Sequence, residues 1–343
     1  LEFGTWNLGF QKIREWLQTR SFFDKKDHTR FFLPYTGKIR VKRLTRKHGV
    51  ICYAHKLITG RNGQRMIISI ASGKGGTGKT TVATNLAVSI GSDVQLLDCD
   101  VEEPNAHLFI NPVIEEEKSV FTPVPEVDEE KCTFCKKCAE ICRFKAIAVI
   151  GETVLTFPEL CHSCGGCMEV CPENAVTETG RNLGVIETGH KNNLNFVHGR
   201  LRIGEAMSPP LIREVRSYTR PDQLTIIDAP PGTSCPVIAA MKGADFVLMV
   251  TEPTPFGLYD LKLAVEAVKL LGIPTGLVIN RSDIGDNRVK EYAEKENLPI
   301  LMEIPFDRKI AEAYSRGELI VEEMPGWKEK FLKLYDNIKG MVV

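Results

Sequence analysis

Apolar runs and helix-period stripes succeed one another through most of the chain. Residues 66–71 (MIISIA) form a short run with β-branched members, which predicts a buried strand, and residues 79–90 (KTTVATNLAVSI) carry apolar positions at helical spacing. Further apolar runs end at Asp98 (QLLD), at Asp228 (LTIID) and just before Asn280 (GLVI). Strands of this kind, separated by helical stretches, predict a doubly wound α/β fold: a mostly parallel sheet with its polar residues gathered at the carboxyl edge. The final stretch, GWKEKFLKLYDNIKGMVV, sets Trp327, Phe331, Leu334, Tyr335 and Ile338 at helical spacing. Burial of that stripe against the sheet is expected, in preference to attachment at a membrane surface. By contrast, IEEEKSVFTPVPEVDEEK combines acidic residues with Pro123 and Pro125 and predicts an exposed connection.

Composition narrows the class. Of 343 residues, 43% are hydrophobic and 26% charged, enough apolar material for a sizeable core and too much for a disordered chain. No apolar run reaches the length of a membrane span and no export leader is evident, so a cytoplasmic, reducing setting is expected for the 11 cysteines. The formal net charge of zero conceals an asymmetry. Residues 1–65 hold 15 Lys and Arg against four Asp and Glu, which leaves 29 against 40 for the remainder. That basic segment lacks methionine and Met66 opens the first strand, so residues 1–65 are expected to be an extension of upstream or expression-derived sequence. The rival reading is a basic arm built on Lys42, Arg43, Arg46 and Lys47 near Tyr35 and Tyr53; such clusters are mostly solvated surface, and binding to nucleic acid or membrane is not expected.

Between the first strand and the first helix lies GKGGTGKT, residues 73–80. Gly73, Gly75, Gly76 and Gly78 leave backbone N–H groups free to converge on phosphate oxygens, and the following helix points its positive dipole end at them. Thr77, Lys79, Thr80 and Thr81 complete the phosphate-binding segment, with Lys79 directed to the β- and γ-phosphates and the Thr80 hydroxyl to Mg²⁺. Asp228 is placed as the carboxylate that holds the metal through water.

A second lysine inside the loop, Lys74, makes this a deviant form that resembles the MinD, ParA, Mrp and nitrogenase iron protein superfamily of P-loop ATPases. The resemblance covers essentially all of residues 66–343 and is carried also by LLDCDVEEPNAHLF, IIDAPPGTSCPV and TEPTPFGLYDL. It implies an ATP-dependent homodimer in which Lys74 crosses to the nucleotide of the second subunit. By the same resemblance Asp98 assists Mg²⁺ and its waters, Asp100 orients the attacking water, and Gly232 lets a second switch segment rearrange. Asn280 and Arg281 correspond to the superfamily's adenine-contacting segment.

The densest signal lies between the two switch segments. Cys132, Cys135, Cys138 and Cys142 follow a C-x₂-C-x₂-C-x₃-C spacing that Cys161, Cys164, Cys167 and Cys171 repeat at an offset of 29. This is the pattern of a bacterial-type α+β ferredoxin with two 4Fe–4S clusters, in which the fourth cysteine of each run serves the other cluster. Cys132, Cys135, Cys138 and Cys171 are accordingly assigned to one cluster, and Cys161, Cys164, Cys167 and Cys142 to the other. Arg143 stands where a proline often follows the fourth cysteine. Zinc and disulfides fit this spacing less well. Cys235, seven residues after Asp228, matches the place of an intersubunit-cluster ligand in the nitrogenase iron protein. HGRLRIGEAMSPP supplies no companion cysteine, however, so a small buried residue is expected there, and Cys99 is expected to point into the core.

The organisation expected is an ATPase in two parts, residues 66–120 and 180–343, interrupted by a ferredoxin insert at residues 121–179. Its expected function is ATP hydrolysis that couples dimer and switch changes to electron transfer through two 4Fe–4S clusters, with redox proteins as partners. The alternatives are an iron–sulfur cluster carrier with apo-protein clients and a positioning ATPase that senses redox state.

Overall fold

The computed structural model describes residues 66–342; segment 1–65, with both readings of it, lies outside the described residues. In chain order the strands are β1 (Ile67–Ala71), β2 (Val94–Asp98), β3 (Val113–Val127), β4 (Ile147–Ile150), β5 (Thr153–Thr156) and β6 (Val176–Lys191). They continue with β7 (Leu194–Leu201), β8 (Leu224–Asp228), β9 (Phe246–Thr251), β10 (Thr275–Asn280) and β11 (Ile300–Ile304). The apolar runs of β1, β2, β8 and β9 are buried at every position, as strands covered on both faces must be.

Nine of these strands form one sheet in the order β11-β10-β9-β1-β8-β2-β7-β6-β3. From β11 to β7 neighbours are parallel; β6 and β3 add an antiparallel pair at one edge. Successive strand residues point to opposite faces, so Leu97, Val197 and Ile227 enter one apolar layer while Leu96, Phe196 and Ile226 enter the other. The last helix, Trp327–Val342, buries Trp327, Phe331, Leu334 and Ile338 and packs on the helix Lys79–Ile90, with Tyr335 partly covered. The expected stripe is therefore a core face. Among the described residues no helix is long and apolar enough to cross a membrane.

The segment expected to be an exposed connection is instead most of β3. Val120, Thr122 and Val124 turn inward while Phe121 and Pro123 between them stay exposed, a period of two that the preceding glutamates obscure. β3 is the outermost strand, where prolines without an N–H are tolerated. β3 and β6 run side by side from the main sheet to the cysteines: β3 ends five residues before Cys132 and β6 begins five after Cys171. Between them lie the hairpin β4–β5 and the short helices Lys137–Ile141 and Gly166–Glu169.

Candidate functional site

The loop after β1 brings the expected phosphate-binding residues together. Gly76 and Gly78 adopt positive φ (76° and 95°), which glycine enters without strain. Gly73 is needed for a different reason, because a Cβ there would lie 2.2 Å from the carbonyl oxygen of Asp260. Thr77 and Lys79 are buried and Thr81 is partly so. The Asn280 side chain donates to the Thr77 carbonyl (2.9 Å), which ties the end of β10 to the loop. Gly232, at φ 102°, donates its N–H to Ser72 (3.0 Å), so the segment after β8 rests on the loop as well.

Three carboxylates face this loop from the carboxyl ends of β2 and β8. Asp98 and Asp228 sit in register on adjacent strands. Thr80 Oγ1 donates to Asp228 Oδ2 at 2.6 Å, while Asp228 Oδ1 is buried and, among the described residues, has no hydrogen-bond partner. Asp98 accepts the N–H groups of Asp100 and Ala106, each at 3.0 Å, and thereby caps the helix Ala106–Ile110. Burial pushes the Asp228 carboxyl up to about 6 and that of Asp100 up to about 7, with Lys79 opposing both shifts. Asp98 is raised as well, by burial and then by Asp228. One buried ammonium thus faces an excess of buried negative charge, and the orphaned Asp228 oxygen beside Thr80 suits Mg²⁺ held partly through water.

Lys74 makes an ion pair with Glu252 (3.4 Å), a buried carboxylate that Arg281 also approaches to 3.1 Å. Sequence reasoning did not single out Glu252, which follows β9 in TEPTPFG. It also missed a polar row that continues across the sheet. His198 on β7 lies level with Asp98, hydrogen-bonds Glu187 on β6, and meets the edge of His107, which belongs to the helix that Asp98 caps. Burial lowers the pKa of His198 and favours its neutral form.

The eight insert cysteines line two cavities. One is bordered by Cys132, Cys135, Cys138 and Cys171, the other by Cys142, Cys161, Cys164 and Cys167. Each draws three thiols from one repeat and the fourth from its counterpart. The backbone repeats with the same offset. Phe134, Lys136 and Lys145 have positive φ, as do Ser163, Gly165 and Asn174. Such turns aim N–H groups at sulfur: Phe134 to Cys132 (3.4 Å), Ser163 to Cys161 (3.3 Å), Ala146 to Cys142 and Ala175 to Cys171 (both 3.2 Å). The repeats also exchange equivalent backbone bonds, Asp128 N–H to Ala175 and Phe157 N–H to Ala146, each 2.8 Å. Burial pushes the Cys138 and Cys167 thiols up.

Of the remaining cysteines, Cys99 is buried as expected. Cys235 is not: it opens the helix Cys235–Met241 exposed, because that helix buries Val237, Ala240 and Met241 on another face.

The family model described as the CobQ/CobB/MinD/ParA nucleotide binding domain matches residues 68–320. An uncharacterised protein of Methanocaldococcus jannaschii is 31% identical over 284 residues, covering 77% of this chain and 98% of its own length. An iron–sulfur cluster carrier protein of Pyrococcus horikoshii is 26% identical over 306 residues, covering 80% of this chain and 88% of its own. Among solved structures, the cell division ATPase MinD of Pyrococcus furiosus shares the fold, with TM-score 0.50 and 24% identity over 80% of this chain and 98% of that one. The phosphate loop, the strand order around it and these matches lead to one assignment: the chain belongs to the CobQ/CobB/MinD/ParA nucleotide-binding family.

Proposed function

We propose that this chain binds and hydrolyses ATP with Mg²⁺ as an ATP-dependent homodimer, and that its nucleotide state governs electron transfer through two 4Fe–4S clusters in the insert. The ATPase would comprise residues 66–120 and 180–343, with residues 121–179 as the ferredoxin-like part. The observation that carries this reading is the β3–β6 pair. Asp98 caps the helix Ala106–Ile110, β3 begins three residues after that helix, and β3 runs on to the cysteines. A displacement at the nucleotide edge therefore has a hydrogen-bonded path to the insert, with no flexible linker to absorb it.

In this reading the loop amides and Lys79 hold the phosphates, Thr80 and Asp228 hold Mg²⁺, and Asp100 positions the attacking water. Lys74 leaves Glu252 to meet developing charge on the nucleotide of the second subunit, and Asn280 and Arg281 flank the base. Cys132, Cys135, Cys138 and Cys171 would ligate one cluster and Cys142, Cys161, Cys164 and Cys167 the other; bound, the clusters would supply single-electron storage and delivery. The four N–H donors to sulfur stabilise thiolate charge and hold the ligand loops in place.

A second reading, an iron–sulfur cluster carrier serving apo-proteins, is favoured by the relative that bears that name, which speaks for it more directly than for electron transfer. Anaerobic reconstitution followed by incubation with an apo-ferredoxin separates the two. Electron transfer predicts about eight irons per chain, retained with or without ATP. ATP-dependent loss of iron to the apo-ferredoxin replaces it with the carrier reading.

A further inference from the structure

The internal duplication supplies a control for each charge around the cysteines. Lys136, Lys137, Arg143 and Lys145 stand where the second repeat has Gly165, Gly166, Pro172 and Asn174. Over these matched ten-residue stretches the net charge is +3 for residues 136–145 and −2 for residues 165–174, and no Lys or Arg occurs from Ala146 to Gly180. Each structural task is thus performed twice: the loop that supplies three thiols and the loop that supplies the fourth exist once with cations and once without. The left-handed turns and N–H bonds to sulfur are the same in both. Neither the fold of the insert nor retention of a cluster accounts for the cations.

Their surroundings point to a partner. All four are exposed, and none makes an ion pair among the described residues, whereas neighbouring Lys131 is held by Asp128 at 2.6 Å. Among them lie exposed Ile141 (46%) and Phe144 (42%), the latter stacked on His162 at 3.5 Å between ring centroids. Cys135 is exposed at one end of the stretch and Cys142 is partly so near the other. An apolar centre with a charged rim is the anatomy of a transient protein interface, and here it borders both thiol-lined cavities.

We propose that residues 135–145 are the docking face for an acidic redox protein. The proposal rests on the cluster-bearing reading above. In the step it serves, one electron leaves the reduced iron–sulfur centre of the acidic protein and is taken up within the insert, with no bond made or broken.

The test uses reconstituted full-length protein and anaerobic stopped-flow, with reduced plant-type 2Fe–2S ferredoxin as the acidic donor to oxidised protein and, in a separate arm, ferric cytochrome c as a basic acceptor from dithionite-reduced protein. One variant carries Lys136→Gly, Lys137→Gly, Arg143→Pro and Lys145→Asn, the residues of the second repeat, which the same local backbone already accepts. A second, milder variant carries Lys137→Glu and Lys145→Glu and decides the matter should the first lose iron. The expected result is a fall of about tenfold or more in the ferredoxin rate at low salt, loss of most of its salt dependence, and no fall with cytochrome c. Wild-type protein without iron overturns the parent reading, and the docking face with it. Iron-loaded wild-type and variant proteins with equal ferredoxin rates overturn the docking face alone. So does binding to phosphatidylserine vesicles that follows the four cations while the ferredoxin rate does not.

Discussion

Replacing Asp100 by asparagine is expected to stabilise the nucleotide-free protein and to slow hydrolysis by about a hundredfold or more. Burial raises this carboxyl from 3.8 to about 7 against the pull of Lys79, and Asp228, Glu102 and Glu103 add to the rise. A raised acid contributes stability that is complete below its unfolded pKa and is lost as pH climbs through the folded value. Holding this carboxyl at its raised pKa therefore costs about 4 kcal/mol of stability at pH 8, about 2 kcal/mol at pH 5 and under about 1 kcal/mol at pH 4. Asparagine abolishes that cost, so its advantage grows with pH; the part of the side chain open to water makes these upper values. Urea unfolding of chelated, nucleotide-free wild-type and D100N proteins at pH 5 and pH 8 measures it. A gain that is equal at the two pH values, or a loss at pH 8, would show that the Asp100 carboxyl is not raised by burial. ATP with Mg²⁺ should then stabilise the wild type more than the variant, because the added cation relieves the same crowding.

Crossed ligation makes a pairwise prediction. Cys171→Ser should lower iron by about four per chain; adding Cys132→Ser should lower it no further, while adding Cys142→Ser should empty both sites, as read by iron assay and absorbance. Glu252→Gln should free Lys74 and strengthen the ATP-dependent dimer by about two- to fivefold, the modest value expected of a partly exposed ion pair. Sedimentation velocity with a non-hydrolysable ATP analogue reads this, and an unchanged or weaker dimer contradicts it. Gly73→Ala should destabilise by about 1–3 kcal/mol in urea unfolding because its Cβ would meet the Asp260 carbonyl, whereas Gly75→Ala, with nothing within 4 Å among the described residues, should be silent in that assay.

Much of the site can be read in the chain because its chemistry is local. The phosphate loop is a continuous segment between a strand and a helix, and the cysteine spacing alone implies crossed ligation, a proposal in keeping with the cysteines that line each cavity. What escaped the sequence depends on distant contacts. β3 was hidden because the glutamates and prolines of residues 115–125 mask its alternation, and only its place at the sheet edge makes those prolines acceptable. Glu252 is 178 residues from Lys74, and the Glu187–His198 bond joins strands whose register no local pattern specifies. Cys235 came out exposed because a residue's preference for burial is weaker than the orientation of the helix that carries it.

Energetic coupling between the nucleotide edge and the cysteine insert is read by a redox titration followed by electron paramagnetic resonance. It is run on reconstituted protein with Mg²⁺ and either ADP or a non-hydrolysable ATP analogue. Coupling of tenfold in affinity corresponds to a change of about 59 mV in a one-electron potential, with reduction shifting the preference between the two nucleotides by the same factor. A shift of that order is the expected result. Identical potentials with both nucleotides, in protein that binds each of them, would contradict it.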